Sequence, residues 1–162
     1  MSADIKKIRQ KIDSLDNEIL QLLNQRAEQA ISIAKEKQKQ QESDNFYNPE
    51  REAQVIRRIQ DLNTGPLSNT TIMKLFREVM SACLSLEAPL KVSYLGPEGT
   101  YTQLAAQKHF GSSVLSIPHS SVEEVFLSVE KRDSHYGVVP VENSTQGIVA
   151  STLDMFMKSS LR

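Results

Sequence analysis

Arg26, Lys37, Glu52 and Glu87 are charged residues at positions where amphipathic helices turn their apolar faces inward. From Ile5, the residues Ile8, Ile12, Leu15, Ile19 and Leu22 keep a 3-4-3-4 spacing, and the next step lands on Arg26. Lys37 follows Arg26 by 11 residues, about 20° around an α-helix, so the two cations share a face. Glu52 lies three residues before Val55 on the stripe Val55, Ile59, Leu62, and Glu87 follows Met80 by seven. An unpaired buried charge is costly, so such groups are paired, hydrated or bound to something. One arginine on a helical seam can merely fix register, and a charge near a helix end can reach out to water. Four such charges on the inward stripes of three helices point instead to a ligand. The excess of cations suits a small dianion, with Glu52 accepting from a hydroxyl. Arg9 sits about 100° from Arg26 around the same helix, out of line with the same pocket, and in a dimer of long helices the partner chain could supply it.

Other chemistries find less support. One cysteine among 162 residues rules out an intrachain disulfide framework and a cysteine-based zinc cluster. The three histidines lack metal-ligand spacing, so no metal and no cofactor is expected. Gly96-Pro97-Glu98-Gly99 reads as a tight turn, without the spacing of a dinucleotide or P-loop fingerprint. With 19 Lys+Arg against 20 Asp+Glu, the net charge of −1 argues against nucleic acid and membrane surfaces as partners. The apolar runs are too short to span a bilayer, and no secretory signal is visible, so a cytoplasmic location is expected.

The elements that must carry these residues change in kind near Pro89. Five of the six glycines lie beyond it. Residues 4–40 hold no Gly or Pro and read as one helix of about 37 residues, about 55 Å long. Two shorter helices cannot cover its stripe, and a second stripe (Leu20, Leu23, Ala27, Ile31, Ala34) opens beside the first. Pairing of long helices in a dimer is the economical solution. Asn48 and Pro49 start a second helix that Asn63-Thr64-Gly65-Pro66 stops. A third runs from near Ser68 and must end before Pro89. Beyond it the pattern is β-α-β-α-β-α. Strands are expected at Val92–Leu95, Val114–Ile117 and Tyr136–Val141, the last of the buried parallel type. Helices are expected from about Thr102 to Phe110, from Ser120 or Ser121 to about Glu130, and over Gly147–Met157.

Several of these stretches are recognisable. Ile8-Arg9-Gln10-Lys11-Ile12-Asp13-Ser14-Leu15-Asp16, Gln25-Arg26, Ala34-Lys35-Glu36-Lys37, Pro49-Glu50-Arg51-Glu52 and Leu75-Phe76-Arg77-Glu78 resemble the all-helical chorismate mutases. Tyr94-Leu95-Gly96-Pro97-Glu98-Gly99-Thr100-Tyr101-Thr102 and Gly137-Val138-Val139-Pro140-Val141-Glu142-Asn143-Ser144 resemble the beginning of prephenate dehydratase. The order of parts is similar to the bifunctional chorismate mutase–prephenate dehydratases of phenylalanine biosynthesis. The resemblance implies a multi-domain protein. An all-α three-helix mutase domain (1–88), forming an intertwined helical dimer, would precede an incomplete α/β lobe (89–162) of a periplasmic-binding-protein-like dehydratase domain.

The same resemblance implies roles. Arg9 of the partner and Arg26 would clamp the two carboxylates of chorismate. Lys37 would contact a carboxylate and the ether oxygen, Glu52 the ring hydroxyl, and Arg51 would support the site. Three positions depart from the family pattern: Asn48 stands for a frequent Asp, Cys83 for a Ser that contacts a carboxylate, and Glu87 for a Gln facing the ether oxygen. Glu87 would therefore act as the neutral acid, with a raised pKa in a desolvated pocket. Thr100, Tyr101, Thr102, Glu142, Asn143 and Ser144 would form part of a prephenate site. The family's catalytic Thr-Arg-Phe tripeptide is missing, so the chain reads as a fragment without dehydratase activity. Two alternatives stay open: a non-catalytic helical dimerisation module with a small-molecule lobe, and a mutase-like enzyme that eliminates pyruvate from isochorismate.

Overall fold

The computed structural model describes residues 3–39, 47–143 and 147–161. Contacts divide the chain into two compact units, Met1–Phe46 and Tyr47–Arg162. The first holds one helix, α1 (Ala3–Lys39), of 37 residues. Its length follows from an unbroken run of helix-tolerant residues, with Lys37 and Lys39 opposing the negative end of the helix dipole.

The second unit begins with α2 (Pro49–Leu62) and α3 (Asn69–Ser85). Both start as their capping residues dictate. Asn48 Oδ1 accepts from the Arg51 amide at 2.9 Å, and Ser68 Oγ accepts from the Thr71 amide at 3.2 Å. Asn63 closes α2 and donates to the Leu67 carbonyl at 2.9 Å, which tightens the turn into α3.

An α/β lobe follows: β1 (Lys91–Leu95), α4 (Tyr101–Phe110), β2 (Leu115–His119), α5 (Val122–Glu130) and β3 (Tyr136–Val138), then β4 (Glu142–Asn143), β5 (Gly147–Ile148) and α6 (Ala150–Lys158). The strands β2-β1-β3 form a parallel sheet, with Leu95 opposite His119 and Tyr94 opposite Val138. β1 is the central strand, and Val92, Ser93 and Tyr94 have no exposed surface. Val92 packs with Leu90, Ala106 and Phe110 on one face, while Ser93 turns to α5 on the other. Gly111 ends α4 at φ +83°, ψ 177°, a region open only to glycine, and a Cβ there would overlap Ser81 of α3.

The strand boundaries differ from the sequence reading in instructive ways. β2 extends through Pro118 to His119, which an outer strand tolerates. β3 stops at Val138 and is half-exposed rather than buried, because it too lies at an edge and Pro140 has no N–H for a ladder. Glu142–Asn143 instead pairs antiparallel with Gly147–Ile148, which delays the last helix to Ala150. The N-terminus of α5 takes the second of its two capping registers. Ser121 Oγ accepts from the Glu124 amide, while the Glu124 carboxylate accepts from the Ser120 amide and hydroxyl. Those donors hold the Glu124 carboxyl below its usual range.

Tyr94 is wholly buried, and its hydroxyl has no partner among the described residues. Burial, helped by Glu98, pushes its pKa above the usual tyrosine range. The folded state therefore favours the neutral phenol. That contribution is complete below the unfolded-chain value near 10 and fades as pH climbs toward the folded value. Tyr94→Phe should leave the fold intact, raise stability by about 1–3 kcal/mol because an unsatisfied buried hydroxyl is removed, and reduce the loss of stability above about pH 10. Urea unfolding at neutral and alkaline pH measures both. A destabilised variant with an unchanged alkaline slope would contradict this account.

Candidate functional site

α1 carries three of the charged residues singled out by spacing. Arg26 and Lys37 are half-buried, whereas Arg9 is exposed. The stripe that leads to Arg26 is uncovered in the single chain, from 44% exposure at Ile5 to 64% at Leu22. The described part of α1 thus carries an exposed apolar seam, and its later turns bear two cations.

The second unit holds the acidic part. Asn48 acts as the N-cap of α2. Glu52 lies one turn into α2, its amide bonded to the Asn48 carbonyl at 3.0 Å. Its side chain is only 17% exposed, and Oε1 meets Arg77 Nε of α3 at 3.4 Å. The sequence places Arg77 in a recognisable motif but gives it no role; the ion pair joins residues 25 apart, beyond what helical periodicity reveals. Arg51 is exposed, and its guanidinium reaches Gln54 Oε1 at 3.4 Å. Cys83 is buried in α3. Glu87 follows the end of α3, half-buried, with Oε2 shielded from water.

Tyr47, the residue before the cap, also escapes sequence reasoning. It is 8% exposed and packs edge-on against Phe110 and Tyr136, with ring centroids at 5.6 and 5.4 Å. Burial first, then the nearby Glu52 carboxylate, holds its phenol well above the usual range. The signal available in sequence was its place immediately before the N-cap, where a side chain folds over the fourth helical residue.

At the carboxyl edge of the sheet, Thr100 caps α4. Its Oγ1 accepts from the Gln103 amide at 3.5 Å and lies 3.3 Å from the Leu95 carbonyl. Tyr101 is 91% exposed and Thr102 half-buried. Glu142 and Asn143 are exposed in β4, and Ser144 lies outside the described residues. The parallel pairing of β1 and β3 brings the chain segments that follow them to the same edge. Among the described residues, no group of three or more His, Cys, Asp or Glu is placed to hold a metal ion.

A buried hydroxyl cluster lies beneath that edge. Ser93 Oγ is 2.9 Å from His119 Nε2, 3.0 Å from Ser128 Oγ and 2.7 Å from Ser134 Oγ, and Ser128 donates to Ser134 at 3.2 Å. Each hydroxyl has one proton. Ser93 donates to Ser128, and Ser128 to Ser134, so Ser134 must donate to Ser93. That leaves Ser93 without a proton for His119, and His119 Nε2–H is therefore the donor. Full burial of Ser93 makes this network structural rather than nucleophilic.

These elements define a helical module with cations on one long rod and a held carboxylate on the two helices that follow it in sequence, continued by a parallel α/β lobe. Comparison with known proteins gives that class its family. Residues 8–88 match the family described as chorismate mutase type II, and residues 92–162 match prephenate dehydratase. The chain belongs to the type II chorismate mutase family and continues into prephenate dehydratase sequence. A Pseudomonas aeruginosa protein named bifunctional chorismate mutase/prephenate dehydratase is 51% identical over 160 residues, which cover 97% of this chain and 44% of that protein. A protein of the same name from Aquifex aeolicus is 42% identical, with 98% and 44% covered. The chain thus spans less than half the length of these relatives. A solved chorismate mutase (form II) from Thermus thermophilus is 32% identical with a TM-score of 0.50, covering 52% of this chain and 93% of that one. Among the described residues, no helix is long and apolar enough to cross a membrane.

Proposed function

We propose that this chain converts chorismate to prephenate, and that the protein containing it carries prephenate on to phenylpyruvate in phenylalanine biosynthesis in the cytoplasm. The observation that carries the reading is the family match over residues 8–88, a stretch that includes Arg9, Arg26, Lys37, Glu52 and Glu87. Residues 1–88 form the mutase domain, and 89–162 the start of a periplasmic-binding-protein-like dehydratase domain. Two chains intertwine along α1, which would bury the exposed seam of Ile8, Ile12, Leu15, Ile19 and Leu22. Within each shared site, the partner's Arg9 and the chain's own Arg26 grip the two carboxylates of chorismate. Lys37 reaches a carboxylate and the ether oxygen, and Glu52 accepts from the ring hydroxyl.

The rearrangement is intramolecular: one C–C bond forms as the ether C–O bond breaks, with no group transferred to or from the protein. It needs neither nucleophile nor general base. Rate acceleration comes from holding the reactive conformer and from donors that stabilise negative charge on the ether oxygen. Glu87 can help there only as the neutral acid; its carboxylate would repel that charge. Arg51 and Asn48 support the site through the first turn of α2, and Cys83 lines the α3 side. In the second lobe, Thr100, Tyr101, Thr102, Glu142, Asn143 and Ser144 contribute to a prephenate site. The strand order β2-β1-β3 supports this: the chain steps from β1 to β2 on one side and then returns past β1 to β3 on the other, and ligands settle where the strand order reverses.

A mutase assay on the purified chain, with product analysis from chorismate and from isochorismate, tests the reading. Prephenate from chorismate is expected. Pyruvate from isochorismate would point to a different chemistry, and no turnover at all to a dimerisation module. Arg26→Ala should lose at least about 2–3 kcal/mol of transition-state stabilisation, roughly 30- to 160-fold in kcat/KM. Wild-type turnover would reduce Arg26 to a register residue. Wild-type activity should also fall as pH rises and Glu87 ionises, whereas Glu87→Gln should flatten the profile between about pH 5 and 9. Identical profiles would remove Glu87 from the ether oxygen.

A further inference from the structure

We infer that Tyr47 is a positioning residue for Glu52, through which the α/β lobe sets the geometry of the hydroxyl-binding carboxylate; this rests on the mutase reading above. Tyr47 immediately precedes the Asn48 cap, and Glu52 is the fourth residue of α2. Helix geometry stacks those two positions, so whatever fixes the Tyr47 ring constrains the Glu52 side chain. The ring is fixed by the lobe. Phe110, the last residue of α4, and Tyr136, the first of β3, meet it edge-on and also contact each other at 5.2 Å. Tyr47 belongs to the same buried cluster as Leu90, Val92 and Ala106.

Glu52 is thereby held from two directions. Arg77 Nε approaches Oε1 at 3.4 Å from α3, and the Tyr47 phenol faces the carboxylate from the lobe side. A carboxylate so placed cannot swing freely, and a side chain that must receive one hydroxyl gains from that restriction. The lobe's influence on the mutase site is then local: the lobe seats the ring, and the hydroxyl that the ring carries meets the carboxylate. It passes through one aromatic ring and needs no movement of the sheet.

A double-mutant cycle on the full 162-residue chain tests this with chorismate as substrate. Tyr47→Phe keeps the ring in its seat and removes only the hydroxyl, so it should fold normally, as circular dichroism and urea unfolding would verify. It should lower kcat/KM roughly tenfold, the scale of a hydrogen bond to a charged group. In the Glu52→Gln background the same substitution should cost nothing further, since its target is already lost. Equal losses in both backgrounds would show a general structural effect and overturn the inference. Wild-type kinetics for Tyr47→Phe beside an impaired Glu52→Gln would overturn it while leaving the role of Glu52 intact. Wild-type kinetics for Glu52→Gln would remove the assignment of Glu52, and the positioning role with it.

Discussion

A 37-residue helix with an unbroken apolar seam is a demand for a partner. Ile8, Ile12, Leu15, Ile19 and Leu22 are each at least half exposed on α1. Burying such side chains is worth about 1.5–3 kcal/mol apiece, so the seam is a strong drive toward association. The same seam runs into Arg26 and, a little more than three turns later, Lys37. Association along that seam would bring cations along with the apolar surface, and desolvating them would call for an anion. On the proposed reading, substrate and partner satisfy one constraint together: the second helix removes the seam from water, and the dicarboxylate neutralises what that removal leaves unpaired.

The acidic side is managed differently. Glu52 is mostly buried and already paired with Arg77, so its position is built into the fold. Asn48 shows how a departure from a family pattern can be mild. An amide oxygen caps a helix as well as a carboxylate oxygen does, and the Arg51 amide finds it at 2.9 Å. On the proposed reading Glu87 is the departure with chemical consequences, because a Gln and a Glu differ in whether a carboxylate can form beside a developing anion. The α/β lobe adds a further layer. Its aromatic residues reach the residue before the cap of α2, so α2 is tied to the lobe by side-chain packing, beside the backbone link that α3 makes through Pro89.

Some helix starts are legible because caps are local: Asn48 and Ser68 each announce one and Ser121 is one of two registers on offer, and each is bonded as its type predicts, whereas α4 is capped by Thr100, two residues before the start that the pattern suggests. The length of α1 followed from an absence of helix breakers. The strand ends were less legible. Whether Val139 to Val141 continues β3 depends on Pro140 and on the pairing of Glu142–Asn143 with Gly147–Ile148, which no periodicity encodes. The site divides in the same way. Arg26, Lys37, Glu52 and Glu87 stood out because they break a stripe, whereas Arg77 and Tyr47 fit their surroundings and matter through contacts made 25 and more residues away. The Ser93 hydroxyl cluster was invisible for that reason too, since it gathers residues from β1, β2, α5 and the turn before β3.

Subunit mixing addresses the proposed shared pocket most directly. Arg9→Ala and Arg26→Ala chains should each be dimeric and nearly inactive alone. Unfolded together and refolded, they should form mixed dimers in which one site keeps both arginines and the other has lost both, restoring about a quarter of wild-type chorismate turnover. If the mixed dimers form and remain as inactive as their parents, the arginines do not meet across the two chains, and the dianion clamp described above does not exist in that form.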